Sequence, residues 1–173
     1  TDTSGWVTFE NDRIKSELRG VLDTLEYVVR LEYLGSSLDS AFVCVLETQF
    51  RLEEDMDVLI LAPDAVIDKL DMFSRPTADV SAMIDVTRNE PRDGEPMHLE
   101  SRGQVESSNG VAALTGCPYR FETLSGRVTA ERETIGLVSV MGTVPSGAQL
   151  TASGVIPLGP TGNDLVSDIA AND

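Results

Sequence analysis

Lysine is nearly missing from this chain: Lys15 and Lys69 are its only two lysines, so arginine carries almost all of the positive charge. Histidine occurs once, as His98, tryptophan once, as Trp6, and aromatics make up 5% of the residues, too few to furnish a sugar-stacking cleft. There is no Gly-x-Ser-x-Gly elbow to present a nucleophile, so His98 reads as a surface or interface histidine rather than as a member of a triad. No Walker-type glycine loop with its lysine is present. The glycine-rich run Gly159-Pro160-Thr161-Gly162-Asn163-Asp164 lacks a lysine and a strand–loop–helix setting, and reads as a flexible tail. No apolar run reaches the length of a membrane-spanning helix. Thr1 to Glu10 lacks the charged and apolar regions of a secretory signal, although a mature chain could have lost one, so the compartment stays open. The two cysteines, Cys44 and Cys117, lie outside any metal-type spacing. Cys44 falls in an apolar stretch and reads as a small buried hydrophobe. A Cys44–Cys117 disulfide would need the two Cα atoms within about 7 Å, which the sequence leaves open.

Acid is what the sequence has in excess. Its 29 Asp and Glu face 13 Lys and Arg, giving a net charge of −16. At low salt such an excess repels itself and weakens the compact state. At about 1 M salt the Debye length falls to roughly 3 Å, and most of that repulsion disappears. Hydrated carboxylates also keep a surface soluble where lysine stems would add apolar area. The composition fits a protein of very salty water. It argues against direct nucleic-acid contact, which needs a basic footprint, and against an anionic membrane surface.

The length of 173 residues suits one domain, and the 41% apolar content supplies a core. A domain of this size buries about 70% of its unfolded surface. Period-two alternation dominates the pattern and predicts half-buried strands. Leu25, Tyr27, Val29, Leu31 and Tyr33 share one face, with Glu26, Val28, Arg30 and Glu32 on the other. Phe42, Cys44, Leu46, Phe50 and Leu52 repeat the arrangement, opposite Glu47, Gln49, Arg51 and Glu53. Further strands are predicted around Val58–Leu61, Val80–Val86, Met97–Val105, Tyr119–Thr129, Ile135–Val144 and Gln149–Leu158. One or two short helices are expected: Asp64–Phe73, behind Pro63, and as a second candidate Asn11–Leu22, where Ile14, Leu18 and Leu22 are spaced by four although a strand fits almost as well. Ser107-Ser108-Asn109-Gly110 and Pro145-Ser146-Gly147 carry turn chemistry. The expectation is an all-β antiparallel sandwich, a single jelly roll of about eight strands. Residues 1–158 would form the domain and residues 159–173 a C-terminal arm.

Chemistry-bearing clusters are few. Glu53, Glu54, Asp55 and Asp57 gather oxygen ligands suited to calcium or magnesium, but lack the glycine and distal glutamate of an EF-hand loop and read as a solvated turn. Among 29 acids close carboxylate pairs arise by chance, so pairing alone does not indicate glycoside hydrolysis. Arg120 between Tyr119 and Phe121 is a lone basic–aromatic step. No catalytic, cofactor-binding or metal-ligating residue is assigned, no cofactor is expected, and no enzyme is predicted.

The strand series from Leu25-Glu26-Tyr27-Val28-Val29-Arg30-Leu31-Glu32-Tyr33 through Gln149–Leu158, together with the acidic, lysine-poor composition, resembles the smaller major capsid protein of haloarchaeal icosahedral viruses with an internal membrane. The resemblance covers most of the chain and implies a single upright jelly roll. It also implies pseudo-hexameric capsomers built with a larger sister protein around a membrane-enclosed DNA genome, and hence a virion location in a halophilic archaeal host. It carries over no functional residue. Two alternatives remain: another virion component, such as a tail-tube, spike or decoration protein, or a non-viral ligand- or ion-binding sandwich using Asp55, Asp57 and the Asn89–Pro96 loop.

Overall fold

The computed structural model describes residues 2–22, 24–35, 40–53, 73–90, 98–114, 120–131, 134–157 and 166–172. Within them the chain is all-β, and no helix is present among the described residues. The strands are β1 (Asp2–Glu10), β2 (Arg13–Leu22), β3 (Leu25–Tyr33), β4 (Phe42–Leu52) and β5 (Phe73–Arg88), then β6 (Leu99–Leu114), β7 (Arg120–Glu131), β8 (Thr134–Thr143), β9 (Gln149–Pro157) and β10 (Val166–Asn172). They form one ten-stranded sheet in which sequence order is spatial order, with β1 at one end and β10 at the other. That order is a meander. A jelly roll interleaves strands distant in sequence, and no such neighbour pair occurs among the described strands, so the all-β antiparallel expectation is met and the jelly-roll order is not seen.

The expected helix over Asn11–Leu22 is also corrected. Asn11 and Asp12 have φ values of 47° and 61° and form a two-residue turn, after which β2 runs antiparallel to β1 from Glu10↔Arg13 to Asp2↔Val21. Positive φ at both central residues marks a primed hairpin turn, which Asn and Asp tolerate. The spacing of Ile14, Leu18 and Leu22 is a multiple of two as well as about one helical turn, and strand pairing decides between the two readings. The expected helix at Asp64–Phe73 and the expected strand at Val58–Leu61 lie outside the described residues, except for Phe73, which opens β5. The turn expected at Ser107–Gly110 does not form: β6 runs straight through it. Asn109 does take a positive φ, 52°, but as a local distortion inside the strand, with Gly110 buried. The turn at Pro145–Gly147 is present, closed by the Val144 amide donating to the Ala148 carbonyl at 3.1 Å, with Gly147 at φ 90°. Val166–Asn172, within the expected arm, is a strand paired with β9 from Val166↔Val155 to Asn172↔Gln149.

Contacts divide the chain into two compact units, one of residues 1–50, 81–105 and 129–133, the other of residues 51–80, 106–128 and 134–173. In the first unit β1 to β4 pair in continuous antiparallel register. Among the described residues its buried apolar residue is Ala41, while Ala78 and Ala112 are those of the second. No large side chain is fully buried among the described residues. In the second unit β8 and β9 pair around a register shift between Leu137 and Val140.

Close backbone approach replaces bulk in this packing. Thr3, Gly20, Tyr27 and Thr48 lie in one cross-strand row. The Tyr27 ring covers Gly20, where an added Cβ would stand 2.6 Å from Tyr27 Cζ. Beyond the glycine, the Tyr27 hydroxyl lies 3.1 Å from Thr3 Oγ1. An aromatic laid over a strand glycine pins register where the glycine has no side chain to do so. Replacing Gly20 with Val is expected to destabilise the chain by about 1–3 kcal/mol through overpacking. In a Tyr27→Ala background the same change should cost much less, a coupling that urea denaturation of the four variants in a double-mutant cycle reads directly.

Candidate functional site

The register of β1 to β4 sorts side chains strictly, because directly opposed residues share a face. One face carries charge. Glu17 stands opposite Arg30, and Lys15 opposite Glu32. The Glu17 carboxylate accepts from Arg19 Nε at 2.8 Å and from Arg30 Nε at 2.9 Å. Arg30 reaches on to Glu47 on β4, its Nη1 2.7 Å from Oε1. Glu32 gathers Arg13 Nη1 at 3.3 Å and Lys15 Nζ at 3.5 Å. The Arg19–Glu17–Arg30–Glu47 chain therefore crosses three strands. Hydrogen bonds from Arg19 first and Arg30 second hold the Glu17 carboxyl below the usual carboxylate range. Those to Glu47 and Glu17 raise Arg30 above its ordinary value.

The opposite face is apolar. It carries Val7 and Phe9 of β1, Ile14 and Leu18 of β2, Tyr27, Val29, Leu31 and Tyr33 of β3, and Phe42, Cys44 and Leu46 of β4. Tyr33 and Phe42 are directly opposed, their ring centroids 5.6 Å apart with a 52° tilt. The Arg88 guanidinium lies 4.7 Å from the Phe42 centroid and donates through Nε at 3.1 Å to the Ser40 carbonyl. That position combines a cation–π contact with a backbone clamp. Cys44 is a free, half-buried thiol opposite Leu31, and burial raises its pKa, which leaves it a weak nucleophile. The expected face assignments of Leu25–Tyr33 and Phe42–Leu52 match this register.

In the second unit Asp79 accepts from Asn109 Nδ2 at 2.8 Å and from Arg51 Nη1 at 2.6 Å, and both hold its carboxyl below the ordinary range, Asn109 more strongly. Arg127 pairs with Glu106 at 2.5 Å. The Thr123 and Thr143 hydroxyls are in hydrogen-bond contact, and Thr143 Oγ1 donates to the Glu122 carbonyl at 3.1 Å. Thr123 has φ 54°, a costly conformation for a β-branched residue.

Among the described residues, those singled out in the sequence do not converge. His98 is exposed, and its carbonyl accepts from the Asn89 amide at 3.4 Å. Glu53 is exposed at the end of β4, while Glu54, Asp55 and Asp57 lie outside the described residues. So do Cys117, Tyr119, residues 91–96 and the glycine-rich run at 159–164. Arg120 is exposed on β7 with Phe121 half-buried beside it. Trp6 is exposed on β1, on the charged side of the sheet opposite Glu17. Among the described residues no group of three or more His, Cys, Asp or Glu is placed to hold a metal ion. The Arg88 clamp went unseen in the sequence, since its partners Ser40 and Phe42 lie more than forty positions away. No protein-family model matches this chain, and no curated protein or solved structure matches it.

The first unit thus presents two sheet faces, one of paired charges and one apolar, half-buried over β3 and β4 and exposed at Val7, Phe9 and Leu18. A carboxyl with a depressed pKa adds stability above its ordinary value near 4.3, and that stability is lost as pH falls through the depressed value. Replacing Arg30 with Met removes one of the two donors to Glu17. The Glu17 carboxyl should then titrate closer to the ordinary range, as followed by carbon NMR, and the difference from the parent should shrink in about 1 M salt.

Proposed function

We propose that this chain is a non-enzymatic structural subunit, a capsid protein that assembles in strong brine into the icosahedral shell of a halophilic virus with an archaeal host. The observation that carries this reading is the amphipathic sheet. Phe9 is 75% exposed, Leu99 67% and Val7 57%, while the fully buried apolar residues among those described are Ala41, Ala78 and Ala112. A sheet with so much apolar surface in water and so little interior gains stability when another sheet or subunit covers it. Covering the apolar face with a second layer gives the two-layer packing of a β-sandwich.

The composition supports the same reading. Subunits at −16 repel one another in dilute solution, and strong salt removes the repulsion. Structuring salts also strengthen apolar burial. The partners proposed are other copies of the chain and a second, larger capsid protein, with a viral membrane nearby and no direct nucleic-acid contact. The meander departs from the jelly roll of the family the sequence resembles. The proposal therefore rests on amphipathicity and charge rather than on strand order.

Light scattering on the full chain should show multimers in about 1 M salt that fall apart when the Debye length is restored to about 10 Å at 0.1 M. A chain that is monomeric at both salt concentrations, and remains so with the proteins of a virion pellet added, would overturn the reading.

A further inference from the structure

Resting on the reading that the chain self-associates, we propose that the outer edge of β1 pairs antiparallel with the same edge of a second copy, about a two-fold axis at Val7, setting Phe9 of each copy opposite Gly5 of the other. β1 is the end strand of the sheet, and all nine of its residues are exposed. Among the described residues β2 is its one strand neighbour, which leaves the backbone groups of its outer side to pair with another strand. Devices that block such pairing are absent from its middle: β1 contains no lysine, no proline and no register shift, and its two charges, Asp2 and Glu10, stand at its ends.

Exposure rises toward this edge. On the apolar face Val29 and Leu31 of β3 are half-buried, Leu18 of β2 is 43% exposed, and Val7 and Phe9 are 57% and 75% exposed. A strand laid beside β1 supplies the neighbour that these two side chains lack, and a second β1 does so for both copies at once.

The hairpin fixes which amides are available. A two-residue turn is closed by a hydrogen-bonded pair, here Glu10↔Arg13, and bonded pairs alternate along the ladder. Thr8, Trp6 and Ser4 therefore bond inward to β2, and Phe9, Val7 and Gly5 present N–H and C=O outward. Centring the axis on Val7 makes bonded pairs of Val7 with Val7 and of Gly5 with Phe9.

Charge, packing and paired length select this register over its neighbours: centring on Thr8 would pair only Trp6 to Glu10, since Gly5 and Ser4 would face the turn residues Asn11 and Asp12. Centring on Trp6 would set Asp2 opposite Glu10 at both ends, and directly opposed like charges are destabilising. Centring on Gly5 would carry Phe9, the most exposed of the large apolar residues, past the paired segment. Centring on Val7 sets Glu10 against Ser4 and Trp6 against Thr8. It also lays an aromatic over a glycine, as Tyr27 covers Gly20 within the sheet.

Amide hydrogen exchange on the wild-type chain in about 1 M and about 0.1 M salt tests the pairing. In the assembled state Gly5, Val7 and Phe9 should exchange at least about tenfold more slowly than in the dissociated state, with Trp6 and Thr8 changing far less. A matched pair of variants gives a second readout. Val7→Lys sets two ammonium groups against each other across the axis and should weaken association more than about tenfold, whereas Val155→Lys, at another exposed valine, should not. Uniform exchange along β1 in an assembled sample, or Val7→Lys assembling like the parent, would overturn the edge pairing and leave salt-driven assembly standing. A parent chain that never assembles would overturn both.

Discussion

Cross-strand register is the constraint on which the rest depends. From β1 to β4 each strand opposes the next residue for residue, with no register shift, so a side chain's face is set by its parity alone. Slipping β3 by one position would move Arg30 away from Glu17 and exchange the apolar face of that strand for its charged one. The ion-pair chain, the Tyr33–Phe42 pair and the Tyr27–Gly20 contact would be lost together. Each contact is worth little alone, since exposed ion pairs are screened by water and salt. Their value lies in agreeing on one register, and that agreement separates a native sheet from its slipped alternatives.

Register alone does not provide an interior. Among the described residues, those the sheet buries are small: Ala41, Ala78, Gly110, Ala112 and Gly142. A Cβ on Gly110 would lie 2.6 Å from the Leu124 carbonyl oxygen, so backbone meets backbone where a globular core would place large side chains. Strands held so closely are well ordered by hydrogen bonding yet gain little from apolar burial. Such a sheet leaves apolar side chains in water, among them Val7, Phe9 and Leu99.

The sequence shows the strands better than it shows their ends. Leu25–Tyr33 and Phe42–Leu52 are legible because opposed strands impose the same period-two rule on both, and the predicted limits of β7, β8 and β9 fall within a residue or two of those found. Asn11–Leu22 is ambiguous because its leucines repeat at a distance that serves both periods. Asn109-Gly110 has the composition of a turn, and Asn109 takes the turn residue's positive φ, but the strand continues since Asn109 bonds sideways to Asp79 instead of reversing the chain. β1 and β10 were missed as strands: β1 mixes Gly5 and threonines into a weak alternation, and in β10 small residues blur the pattern. The features that matter most for the candidate site, the Arg30 bridge and the Arg88 clamp, join residues on different strands, and composition contains no trace of such pairings.

The scarcity of lysine beside arginine has a counterpart in the sheet. Solvation in brine disfavours lysine stems, but it does not by itself call for arginine. Arg30 does: one planar guanidinium reaches Glu17 through Nε and Glu47 through Nη1, at 2.9 and 2.7 Å, bridging carboxylates on two flanking strands. A fixed fork can hold two acceptors in a set geometry, whereas an ammonium is a point charge on a flexible stem. The sheet contains the comparison, since Lys15 and Arg13 share Glu32, and the lysine contact is the longer at 3.5 Å. Arg51 and Arg88 are likewise committed by direction, one to Asp79 and the other to a carbonyl and a ring. Arg13, Arg30, Arg51, Arg88 and Arg127 each reach a partner on another strand, so these cations align strands as well as offset acid.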